Sequence, residues 1–194
     1  EQWNDASLTP AFTTKTAVSE HTDWADWKAN WDKIKTNYEQ VALIPGSDFS
    51  KLNFGWYSKE KANEAVVRIA DNKDMKNAKE FKGTCTEGTV INGVQYYSNK
   101  VTADGFEPNT TYYYQVKLNG KWQQAHEYKT GDPHNFSFMY VGDPQIGASK
   151  GQVPNESAVE QSEDVAARND AYNWNKTLNS ALAQHPEINF LVSP

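Results

Sequence analysis

Three periodicities follow one another along the chain. Trp24, Trp27, Trp31, Ile34 and Tyr38 recur at spacings of three, four, three and four, which places all five on one helical stripe. Asp23 and Asp26 fall in the first turn, where carboxylates favour the positive end of the helix dipole. Apolar stripes of this kind normally face a core, so the expectation is an amphipathic helix clamped on a neighbouring domain. Residues 1 to 21 are polar, rich in Ser and Thr and without a period, and read as an irregular lead-in.

From residue 39 to 130 the pattern changes to short β-rich runs: Gln40 to Ile44, Lys51 to Tyr57, Glu64 to Ala70, Tyr96 to Val101, Thr111 to Leu118 and Ala125 to Thr130. Turn signals punctuate them at Pro45-Gly46, Asp71-Asn72, Asn92-Gly93, Asp104-Gly105 and Asn119-Gly120. About seven short strands in some 90 residues predict an all-β sandwich of the fibronectin type III or immunoglobulin kind. Phe106-x-Pro108-x-Thr110-x-Tyr112 sharpens this. It has the spacing of a tyrosine corner, in which a Tyr hydroxyl bonds back to the backbone a few residues upstream.

A third texture begins at Phe136. An apolar run, Phe136 to Val141, is followed by a loop through Gly147-Ala148-Ser149-Lys150-Gly151 and Pro154. Ala167, Ala171, Trp174, Leu178, Ala181 and Leu182 then mark a helix that ends near Gln184, before the helix breaker Pro186. Ile188 to Val192 reads as a second buried strand. Strand, crossover helix and strand form the opening unit of an α/β fold with parallel strands. The expected organisation is therefore residues 1–38, lead-in and Trp-rich helix; 39–131, the β domain; and 136–194, a truncated α/β (βαβ) segment. Trp174, Leu178 and Leu182 are expected to pack on the sandwich or on a partner chain, which makes self-association through this segment an expected mode.

Composition narrows the function classes. The net charge is −6 and the pI about 5.2, with no Lys/Arg run, which argues against a nucleic-acid-binding surface. No apolar run approaches the roughly 20 residues of a membrane helix. Cys85 is the only cysteine, so no intrachain disulfide forms; this suits a cytosolic protein or a bacterial secreted one. The Glu1-Gln2-Trp3 start reads as a processed or engineered terminus.

The candidate chemistry lies at Gly142-Asp143-Pro144-Gln145. Ligands of open α/β sheets gather beyond the carboxyl ends of strands, and a carboxylate fixed there suits a metal ion. Gln145 adds a neutral carbonyl oxygen, and Gly147 lets the chain swing across the opening. Taken alone, Gly-Asp-Pro also reads as a turn or N-cap, as Asp132-Pro133 does between domains. His21, His126, His134 and His185 lack metal-ligand spacing and read as surface or packing residues.

The order of these features resembles the purple acid phosphatases and their bacterial relatives, in which a fibronectin-like domain precedes a calcineurin-like metallophosphoesterase domain. The resemblance runs through Val41 to Gly46, Leu52 to Tyr57, the Phe106 to Tyr112 corner and Phe138 to Gly147. It implies a dinuclear site for divalent metal ions (Fe, Zn or Mn in identity), with Asp143 as the first ligand. Gln145 stands where many calcineurin-like enzymes carry His. It implies hydrolysis of a phosphate mono- or diester substrate by a metal-bound hydroxide in the complete protein, at an extracellular or cell-surface location. The bridging Asp and the later His motifs of the family do not occur before Pro194, so this chain alone is expected to be inactive. The competing expectations are a non-catalytic extracellular module that binds carbohydrate or protein, its Trp helix serving as a platform, and a structural fragment.

Overall fold

A computed structural model describes residues 23–151 and 162–193. The irregular lead-in, His21, and the loop around Pro154 lie outside the described residues. The chain divides into two compact units: Asn37–Phe138, and Met139–Pro194 joined with the chain up to Thr36. The Trp helix and the C-terminal segment, separate stretches in the sequence reading, thus share one unit.

In the first unit eight strands form one antiparallel sheet: β1 (Ala42–Pro45), β2 (Lys51–Ser58), β3 (Ala65–Ala70), β4 (Lys79–Ile91), β5 (Val94–Asp104), β6 (Thr111–Leu118), β7 (Lys121–Trp122) and β8 (His126–Lys129). Their order is β1-β2-β5-β4-β3-β6-β7, with β8 also on β6. The sheet curls because β4 changes partner along its length. Lys79 to Gly83 pair with β3, and from Thr84 onward the strand pairs with β5. Alternate residues therefore converge from both sides of the curl: Leu52, Phe54 and Trp56 of β2 and Val101 and Ala103 of β5 meet Ala65, Val67 and Ile69 of β3 and Val116 of β6. This curled sheet is the all-β domain expected from the sequence.

β4 is a strand that the sequence pattern does not predict. Phe81, Gly83 and Cys85 form the half-buried face of β4, alternating with exposed Glu80, Lys82 and Thr84. A period of two is present, but after Phe81 its inner positions hold a glycine and a cysteine in place of large apolar residues. The turns follow their signals: Asn92-Gly93 and Asn119-Gly120 are two-residue connections with φ of 51°, 79°, 48° and 76°, as type I′ hairpins require.

The tyrosine corner has the expected bond. The Glu107 N–H donates to the Tyr112 hydroxyl at 2.9 Å, and the Tyr112 ring meets buried Phe106 edge-on at 4.9 Å. Tyr112→Phe keeps the ring contact and leaves that amide without its acceptor. We expect a loss of about 1–2 kcal/mol, read as a lower urea midpoint at unchanged m-value; an unchanged midpoint would show that water replaces the hydroxyl.

The second unit holds α1 (Trp24–Lys35), the end of β9 (Ser137–Tyr140, whose first two residues count with the first unit), a 3-10 turn (Ala148–Gly151), α2 (Glu163–Gln184) and β10 (Ile188–Val192). Ser162 caps α2 by accepting from the Val165 N–H, and Glu163 and Asp164 complement the dipole in its first turn. The helix thus starts earlier than the apolar spacing alone indicates. β9 and β10 pair with each other.

The Trp stripe of α1 docks on α2. Tyr172 of α2 is 1% exposed and meets the rings of Trp24 at 5.0 Å and Trp27 at 5.5 Å. The indole N–H groups of Trp27 and Trp31 donate to the Arg168 carbonyl and the Asp164 carboxylate. Asp23, read from sequence as a helix-dipole residue, makes no side-chain cap. Its carboxylate instead accepts from the Tyr172 hydroxyl at 2.6 Å and pairs with Lys176 at 2.8 Å. Tyr38 falls beyond the helix, and its ring lies edge-on to Tyr96 within the first unit.

Candidate functional site

β9 reaches the candidate site by way of Val141, whose N–H donates to the Val192 carbonyl at 2.9 Å. β9 itself ends at Tyr140, so Gly142 and Asp143 lie just beyond the strand. Asp143 is exposed. One of its oxygens, Oδ1, accepts the Gln145 N–H at 3.0 Å, closing a turn of the kind Asp side chains favour. The turn reading and the ligand reading therefore describe the same residue, since Oδ2 has no hydrogen-bond donor among the described residues.

Beyond the turn the backbone is left-handed twice, at Gln145 (φ 45°) and Gly147 (φ 94°). The Ala148 N–H donates to the Gln145 carbonyl at 2.9 Å, starting the 3-10 turn. Asp170, on α2, reaches into this loop. Its Oδ2 accepts the N–H of Gly147 at 2.8 Å and the N–H of Ser149 at 3.2 Å. Lys150 pairs with Glu163 at 2.8 Å, and this hydrogen bond holds the Glu163 carboxyl below its ordinary range.

An open cleft of about 320 Å³ lies between loop and helix, lined by Gln145, Ser149, Asp170, Asn173, Trp174 and Thr177. The four α2 residues sit at i, i+3, i+4 and i+7 and so form one helical stripe. By its spacing Trp174 belongs to the apolar stripe with Leu178; both are half-buried, and Leu182 is 45% exposed. Asp170, Asn173 and Thr177 went unnoticed because they are polar residues on what reads as a solvated face. Their spacing beside Trp174 was the available signal.

As metal donors, Asp143 and Gln145 are two oxygens on one turn. Among the described residues no group of three or more His, Cys, Asp or Glu converges. His126, His134 and His185 are exposed; the first tilts against Tyr114 and the last pairs with Glu187. Asp132 accepts the His134 N–H in a simple turn. The donor set thus fits one corner of a site for a hard cation and does not complete one. The aromatic platform expected of a binding module is occupied otherwise, since the Trp24, Trp27 and Trp31 indoles pack on α2.

Residues 38–130 match the family model of the purple acid phosphatase N-terminal domain, so the resemblance read from the sequence is shown over that stretch. No curated protein matches the chain. Among solved structures, a purple acid phosphatase, PPD1, from yellow lupin (Lupinus luteus) seeds is 16% identical, with a TM-score of 0.43, over 54% of this chain and 22% of that one. PhoD is 18% identical, with a TM-score of 0.39, over 82% of this chain and 39% of that one. The chain spans less than half the length of either structure. No helix among the described residues is long and apolar enough to cross a membrane.

Proposed function

We propose that this chain is part of a metal-dependent phosphoesterase that hydrolyses phosphate mono- or diesters at an extracellular or cell-surface location. In this reading residues 39–131 are its fibronectin-like domain and residues 136–194 open its α/β catalytic domain. Asp143 is the first metal ligand, and Gln145 a neutral second donor. The observation that carries the reading is a domain matching the purple acid phosphatase N-terminal family that is followed in the chain by a strand and then Asp143, one of whose oxygens has no partner among the described residues. A bound divalent pair supplies a hydroxide nucleophile at neutral pH and offsets charge on the phosphate. The chain's own contribution is geometric. The Val141–Val192 bond fixes the strand end, and the turn from Asp143 to Gln145 sets both oxygen donors on the same short loop.

The test uses the full-length protein, with Mn²⁺ titration followed by electron paramagnetic resonance and hydrolysis of p-nitrophenyl phosphate and its bis-ester. Asp143→Asn is expected to weaken Mn²⁺ binding and hydrolysis by more than the roughly 10–100-fold typical of losing a group that merely supports a ligand. Equal affinity and rate in the variant and the wild type would overturn the reading.

A further inference from the structure

We infer that Asp170 is a positioning residue for the candidate metal corner, setting the loop that carries Gln145 through two backbone amides; the inference rests on the reading of Asp143 and Gln145 as ligands. Three alternate N–H groups of the loop, at residues 145, 147 and 149, are each tied to a carboxylate. The first bonds to Asp143, and the other two share Asp170 Oδ2. Between these ties lie the two left-handed residues, Gln145 and Gly147. Left-handed backbone is unfavourable for an L-residue such as Gln, so that conformation persists only where surrounding bonds impose it.

The tie on the loop's far side comes from α2. Asp170 is suited to that task because its helix is itself immobilised. Ala166 and Tyr172, one turn before it and two residues after it, are buried, and α1 docks along the same helix. A carboxylate that receives two N–H groups on one oxygen acts as a charge-assisted staple. Asp170 thereby places the Gln145 side chain without being a ligand.

Hydrogen–deuterium exchange over 145–151 and Mn²⁺ titration of the full-length protein test this together. In Asp170→Ala we expect the Gly147 and Ser149 amides to lose protection and the Mn²⁺ dissociation constant to rise about 10–100-fold, with helix content by circular dichroism unchanged. Asp170→Asn retains a carbonyl acceptor for both amides and should keep most of the protection and most of the affinity. Lost protection in Asp170→Ala with unaltered affinity would overturn the positioning role. So would Asn as damaging to affinity as Ala with protection intact, since that marks Asp170 as a ligand. Failure of the metal reading is separate: there, wild type and Asp143→Asn bind Mn²⁺ alike, whatever happens at residue 170.

Discussion

Gly83→Ala is expected to destabilise the Asn37–Phe138 unit by about 3 kcal/mol, the upper end of what overpacking costs. Gly83 is the last β4 residue registered with β3, opposite Ala65, and Thr84 is the first registered with β5, opposite Lys100. A Cβ at residue 83 would lie 1.9 Å from the Lys100 carbonyl oxygen and 2.9 Å from the Val101 Cα. Both are backbone atoms, so no side chain can turn aside. Relief requires β4 to move off β5 at the point where the sheet curls, and that curl brings the inner faces of β2 and β3 together. Gly55→Ala is the control: it stands in β2 with nothing within 4 Å of its added Cβ. There the substitution should be neutral or add up to about 1 kcal/mol, because Gly loses more backbone entropy on folding than Ala. Chemical denaturation decides it. A Gly83→Ala midpoint within experimental error of that of Gly55→Ala would mean that the two strands separate at no cost, and the close approach would carry no weight.

The same corner shows which parts of the fold the sequence declared. Strands with large apolar residues at alternate positions, such as Leu52-x-Phe54-x-Trp56, were legible because burial and period two coincide there. The hairpins were legible because Asn-Gly suits only a few backbone conformations. β4 was hidden because its inner positions hold Gly83, where no side chain fits, and Cys85. The docking of α1 on α2 was half legible. The stripe of three Trp announced a buried face, but nothing local announced that its partner begins more than 120 residues later. That pairing rests on two indole N–H groups and on Asp23, a residue whose helix-start position suggested a simpler role. At the candidate site, Asp143 was legible from the abrupt end of an apolar run. Asp170 was not, because an acceptor for two backbone amides carries no pattern of its own.

Tyr172→Ala is expected to undock α1, at a cost of about 3–5 kcal/mol by analogy with removal of a buried aromatic ring. Tyr172 is 1% exposed, touches the rings of Trp24 and Trp27, and donates its hydroxyl to Asp23. Tyr172→Phe keeps the rings together and removes the hydroxyl that bonds to Asp23, with an expected loss of about 1–3 kcal/mol because the acceptor is charged. The same bond makes the docking dependent on pH. Lys176 first and Tyr172 second lower the Asp23 pKa from 3.8 to about 2. A carboxyl with a depressed folded-state pKa contributes stability above its unfolded value, and that contribution drains away as pH falls from near 4 through 2. Lys35 first and Trp31 second lower the Asp164 pKa as well, in the same direction. Tyr172 is pushed up to about 12, by burial first and by Asp23 next. Its contribution is whole below pH 10 and lost as pH rises through 12. Docking should therefore hold between about pH 4 and 10 and weaken on both sides. Tryptophan fluorescence and amide exchange within α1 report it directly, and Asp23→Asn should shrink the acid limb that the wild type shows, leaving the part that Asp164 contributes. If α1 in Tyr172→Ala keeps wild-type exchange protection and its acid limb is unchanged, the helix is held by other contacts and this cluster is not its anchor.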